Sequence, residues 1–138
     1  MTDRRALTIP ALLAASTLCV ATVAIRSHHA GNGFYNFLVW NLALAWVPFG
    51  LALGALASAR RDARATTSVL GVLWLLFFPN APYLLTDFVH LEASGTTPLW
   101  YDALMLASFA WTGLLLGFGS LYVMQLIWER AVGAVRPY

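Results

Sequence analysis

Asp87 and His90 stand three residues apart in the run Thr86-Asp87-Phe88-Val89-His90, with Glu92 just beyond and Asp102 further along the chain. On a helix, residues i and i+3 share a face, so this spacing sets a carboxylate beside an imidazole. Imidazole with carboxylates is a ligand set for zinc or another divalent metal, and the same groups serve as acid and base. His28 and His29 add two further imidazoles. The spacing is not that of H-E-x-x-H, and no G-x-S-x-G supplies a nucleophile context. No metal is therefore assigned to the outer polar cluster Asp87, His90 and Asp102. A plainer reading stays open, with Arg26 as ion-pair partner of Asp87 and the histidines facing water.

A second constellation lies just upstream, in Phe78-Pro79-Asn80-Ala81-Pro82-Tyr83. Inside a helix, Pro79 and Pro82 deprive the carbonyls of Leu75 and Phe78 of their usual donors, at about 3 kcal/mol each in a regular helix. Asn80 and Tyr83 carry groups that can meet such carbonyls, or a ligand. A milder version is Asn41 with Pro48. Paired interrupted helices are how transporters build midplane sites from freed backbone groups. Asn41, Pro48, Pro79, Asn80, Pro82 and Tyr83 are thus the candidate ligand-binding set. The alternative is a bent helix whose polar groups satisfy one another.

The elements that must hold these residues follow from composition. Of 138 residues, 60% are hydrophobic and only 10% charged, against about 25% charged in a soluble domain. Mean hydropathy is +0.71. So few charges cannot cover the surface of a water-soluble fold this small. Four apolar runs, approximately residues 6–25, 37–57, 68–89 and 103–128, are each long enough to cross a hydrocarbon core, which takes about 20 helical residues. Unbroken apolar runs lack the alternation of membrane strands, leaving helices. The expected fold is all-α: one membrane domain over residues 1–138, a polytopic bundle of four spans, the third and also the second kinked by proline. The first run, behind Arg4 and Arg5, opens like a signal peptide. Its apolar core is longer than a usual h-region and no A-x-A site follows, so it reads as a retained anchor.

The net charge of +2 comes from arginine alone, since the chain has no lysine. The arginines sit in short clusters beside apolar runs and form no aromatic-interleaved basic patch, which argues against nucleic acid. Arg4, Arg5, Arg60, Arg61, Arg64, Arg130 and Arg136 fall on one side of a four-span topology, and Arg26 alone on the other. The positive-inside rule then places both termini and the 58–67 loop in the cytoplasm, in a cell (inner) membrane, with Asp87, Glu92, Asp102 and all three histidines outside. Phe34, Tyr35, Trp100, Tyr101 and Trp128 stand where an aromatic belt is expected. Thr97-Pro98 reads as N-cap and first turn of the last helix, with Asp102 complementing its dipole. Gly50/Gly54 and Gly113/Gly117 are G-x-x-x-G pairs that permit close helix contacts, within the chain before between copies. Cys19, the only cysteine, is expected to pack as a small residue.

The run Phe78-Pro79-Asn80-Ala81-Pro82-Tyr83-Leu84-Leu85-Thr86-Asp87-Phe88-Val89-His90-Leu91 resembles the hallmark of an uncharacterised family of bacterial multi-pass membrane proteins, domain of unknown function thirteen sixty-one. Asn41 to Pro48, Trp100-Tyr101-Asp102 and Gly113 to Leu121 are similar to other segments of that family. The resemblance spans roughly Tyr35 to Trp128. It implies a polytopic inner-membrane protein and no particular activity. Members of the family tend to run longer, so the chain is read as a short member or as one lacking C-terminal spans.

The first expectation for function is a non-enzymatic multi-pass membrane protein in the lipid bilayer, a small transport or ligand-binding component without a cofactor. A membrane enzyme with an outward acid/base or divalent-metal site is the second. A scaffold or assembly subunit using the glycine faces is the third.

Overall fold

The computed structural model describes residues 2–91 and 97–135, with side chains described from Leu7 to Leu91 and Thr97 to Gly133. Glu92 and Arg136 lie outside the described residues, as do the side chains of Arg4 and Arg5. The chain forms α1 (Thr2–Ala30), α2 (Phe37–Arg60), α3 (Arg64–Phe77), α4 (Asn80–Tyr83), a 3-10 helix (Leu84–His90) and α5 (Leu99–Val135). There is no strand among the described residues. Four stretches are long and apolar enough to cross a membrane: Leu7–Ala30, Phe37–Arg60, Arg64–His90 and Leu99–Gly133. This is a multi-pass helical membrane protein. Each span outruns its apolar stretch at one or both ends, because a helix satisfies its backbone equally well through polar residues such as Arg60 and His28.

α2 and α5 form the central pair, with α1 along α5 and α3 along α2. The buried positions of α2 are Leu38, Leu42, Ala45, Pro48, Phe49, Ala52, Ala55 and Leu56. They follow the three- and four-residue steps of one broad helix face. Leu106, Phe109 and Leu116 of α5 and Leu12, Cys19 and Val23 of α1 close the same core. Burial of apolar area drives little association in lipid, so close packing and interhelical hydrogen bonds hold the bundle. Trp46 Nε1 donates to Ser16 Oγ at 2.9 Å and ties α2 to α1. Cys19 Sγ lies 3.4 Å from Thr112 Oγ1 of α5. Since the Thr112 hydroxyl donates to the Ser108 carbonyl at 2.8 Å, the thiol is the donor.

α1 ends on Gly31, whose φ of +69° suits a residue without Cβ. α2 runs helical through Pro48. The third span behaves differently. α3 buries none of its residues, and the α-helix stops at Phe77, just before Phe78-Pro79. After α4 the backbone tightens to a 3-10 helix, in which residues three apart eclipse. Ala81, Leu84 and Asp87, each three apart, are buried against the bundle. Gly113 and Gly117 of α5 make room for Ala81 and Leu84: a Cβ on Gly113 would stand 2.6 Å from the Ala81 carbonyl oxygen and from the Leu84 side chain, and one on Gly117 3.3 Å from the Ala81 Cβ. Gly54 faces Leu70, while Gly50 has nothing within 4 Å.

Two local expectations give way. α5 starts at Leu99, one residue later than the Thr97 cap implies, and the Thr97 hydroxyl is buried without a hydrogen-bond partner. Pro98 instead supplies the carbonyl that accepts from the Tyr101 N–H at 3.0 Å. Tyr35 and Tyr101 also leave the expected outer belt. Tyr35 is 1% exposed, and the Tyr101 hydroxyl donates to the Thr22 carbonyl at 2.7 Å. Both have an internal acceptor or cation to meet, whereas Phe34, Trp100 and Trp128 do not and remain exposed.

Candidate functional site

The end of the bundle that carries Arg26 holds two buried polar pairs. Arg26, in the last part of α1, donates from Nε to Asp102 Oδ1 at 2.6 Å and from Nη2 to Oδ2 at 3.1 Å. Both side chains are buried. The fork geometry of the guanidinium matches a carboxylate, the strong form of such a pair. Arg26 Nη1 is buried with no hydrogen-bond partner among the described residues. Asp102 occupies the first turn of α5, so the helix dipole also favours its charge.

The second pair is Asn41 with Asp87. Asn41 Nδ2 lies 3.3 Å from Asp87 Oδ1 and 3.1 Å from Oδ2. Asp87 is 2% exposed. Among the described residues the single ion pair within 4.0 Å is Arg26 with Asp102, so no cationic side chain stands that close to Asp87. An ionisable group buried near the end of an apolar span and met by a neutral amide is costly to keep.

Tyr35 joins the two pairs. Its ring lies 4.4 Å below the Arg26 guanidinium carbon, a cation–π contact. Its hydroxyl donates to the His90 carbonyl oxygen at 2.8 Å. The His90 ring packs on Phe37 at 4.9 Å between centroids, and its Nδ1 lies 3.3 Å from the Asp87 carbonyl oxygen. The C-terminal end of the 3-10 helix is thereby pinned at His90 to Tyr35 and to Phe37 at the start of α2.

Residues 40–136 match the family described as "Protein of unknown function (DUF1361)". The chain belongs to this family. The DUF1361 match takes in Asn41, Asp87 and Asp102, and leaves out Arg26 and Tyr35. No curated protein and no solved structure matches the chain.

In this DUF1361 chain Asp87, His90 and Asp102 share one end of the bundle but have separate partners. Arg26 goes to Asp102, not to Asp87, because α1 lies along α5. The i, i+3 pair meets through the Asp87 carbonyl rather than its carboxylate: the carboxylate points inward while His90 is exposed. His28 and His29 are exposed in the last turn of α1. Among the described residues there is no group of three His, Cys, Asp or Glu able to hold a metal ion.

The proline-flanked set is also spread out. Pro48 is buried in the core and Tyr83 is 53% exposed. Asn80 Nδ2 donates to the Phe77 carbonyl at 3.0 Å, and the freed Phe78 carbonyl accepts instead from the Ala81 N–H at 3.1 Å. Among the described residues no side-chain hydrogen bond joins Asn41 to Pro79, Asn80, Pro82 or Tyr83. The contact that the sequence reading missed is Asn41 with Asp87. Both residues were singled out, one in each constellation, and the sole available signal was that each is polar within an otherwise apolar span.

Proposed function

We propose that this DUF1361 protein is a small transport or ligand-binding component of the cell (inner) membrane, with Asp87 as the exchanging group and Asn41 as its orienting partner. The species exchanged is a proton or a small monovalent cation. One observation carries the reading: a buried carboxylate in the third span, held on both oxygens by a neutral amide and, among the described residues, by no cation within ion-pair distance. Intramembrane carboxylates of this kind mark ion and proton paths. The break at Phe78-Pro79 and the 3-10 helix after it support the reading, since interrupted helices accompany such sites in transporters. The arginine distribution supports cytoplasmic termini and a cytoplasmic 58–67 loop, which puts the Asp87 end outside.

The test is thermal unfolding of the purified protein in mild detergent across sodium, potassium and proton concentration, with Asp87→Asn and Asn41→Ala beside the wild type. Expected is a midpoint that shifts with one of these species in the wild type, a weaker shift in Asn41→Ala, and none in Asp87→Asn. Identical responses in all three would sink the reading. Elemental analysis of the same samples reports on a tightly held divalent metal.

A further inference from the structure

The opposite end of the bundle carries a groove of about 360 Å³ lined by Leu56, Arg60, Leu126, Glu129 and Arg130. Arg60 is the last residue of α2, and Arg130 stands in the last two turns of α5. Both are exposed. Among the described residues neither forms an ion pair, although Glu129 lines the same groove. The Glu129 carboxylate is turned to the Gln125 amide, whose Nε2 donates to Oε1 at 2.9 Å. Arg61 and Arg64 add unpaired positive charge at this end, against Asp62 and Glu129. Leu56 and Leu126 line the groove as well, on helices long enough to span a membrane. Trp128, 70% exposed on α5, stands at the same level, where indole rings anchor a span among headgroups.

We propose that this groove binds an anionic phospholipid, with Arg60 and Arg130 on the headgroup phosphate and Leu56 and Leu126 against the start of the acyl chains. Two guanidiniums from the two central helices, neither in an ion pair among the described residues, fit a phosphate diester by charge and by fork geometry. The lipid then bridges α2 and α5 at the end remote from Asn41 and Asp87. The proposal is independent of the function proposed above.

The experiment is native mass spectrometry of the detergent-purified chain, titrated with dioleoyl phosphatidylglycerol or dioleoyl phosphatidylcholine. Variants are Arg60→Gln/Arg130→Gln, Arg61→Gln/Arg64→Gln and Glu129→Gln, each checked for folding by its elution volume. At about 1 kcal/mol per basic residue, the first double variant loses on the order of thirtyfold in phosphatidylglycerol retention. The loop double variant keeps most of it, and Glu129→Gln gains. Equal loss in both double variants reduces the effect to general charge attraction and overturns the groove. So does equal retention of the two lipids. Displacement of the lipid by millimolar inorganic phosphate makes the occupant a free anion and overturns the lipid assignment. Should the groove double variant not fold, Glu129→Gln alone decides: unchanged retention counts against the site.

Discussion

Arg26 and Asp102 meet through two hydrogen bonds although 76 residues separate them in sequence. Their pairing fixes how α1 is rotated against α5, and with it which face of α1 presents Cys19 and Val23 to the core.

Removing one member strands the other as a buried charge. Arg26→Met or Asp102→Leu alone is expected to cost about 3–5 kcal/mol, while Arg26→Met/Asp102→Leu together recovers most of that loss. Thermal or denaturant unfolding in one detergent, run as a double-mutant cycle, measures it. Additive losses would mean that the pair does not act as a unit.

Tyr35→Phe keeps the ring under Arg26 and deletes only the hydroxyl that reaches His90. The expected cost is about 0.5–1.5 kcal/mol, with faster amide exchange in the 3-10 helix Leu84–His90 and little change in α1. Tyr35→Leu also deletes the cation–π contact, worth about 2 kcal/mol when desolvated, and extends the faster exchange to the end of α1. Exchange-rate mapping by mass spectrometry separates the two.

Gly113 and Gly50 make a paired comparison. A methyl at Gly113 runs into the Ala81 carbonyl and the Leu84 side chain, both at 2.6 Å, so Gly113→Ala should lose about 1–3 kcal/mol. Gly50→Ala meets nothing within 4 Å and should stay within about 0.5 kcal/mol of wild type. Melting midpoints of the two variants side by side are the check. A Gly50→Ala loss as large as that of Gly113→Ala would point to a contact at Gly50 from outside the chain.

Cys19 is 2% exposed and donates to Thr112. Maleimide should leave the folded protein unlabelled and add once after denaturation, as read by intact mass. Thr112→Val removes the acceptor without opening the core, so labelling should stay slow. Rapid labelling of the folded wild type would contradict the packing of α1 on α5.

The four spans were legible because apolar runs of this length leave few alternatives in lipid. Which carboxylate takes Arg26 was not legible: charge counting sorts residues by side of the membrane, while pairing depends on helix rotation and on which helices are neighbours. The 3-10 geometry was hidden for a similar reason. Nothing local in Leu84 to His90 demands it; the neighbouring space left by Gly113, which takes the Ala81 carbonyl and the Leu84 side chain, comes from a distant helix. Tyr35 and Tyr101 looked interfacial because ring type reports depth, not the direction of the hydroxyl.

The Arg26–Asp102 pair also has a consequence in time. Synthesis proceeds from the N-terminus, so the first hairpin must be threaded and held while its guanidinium waits for a carboxylate carried by α5. Until α5 arrives the nascent bundle has an unfilled socket at that end, which its docking fills.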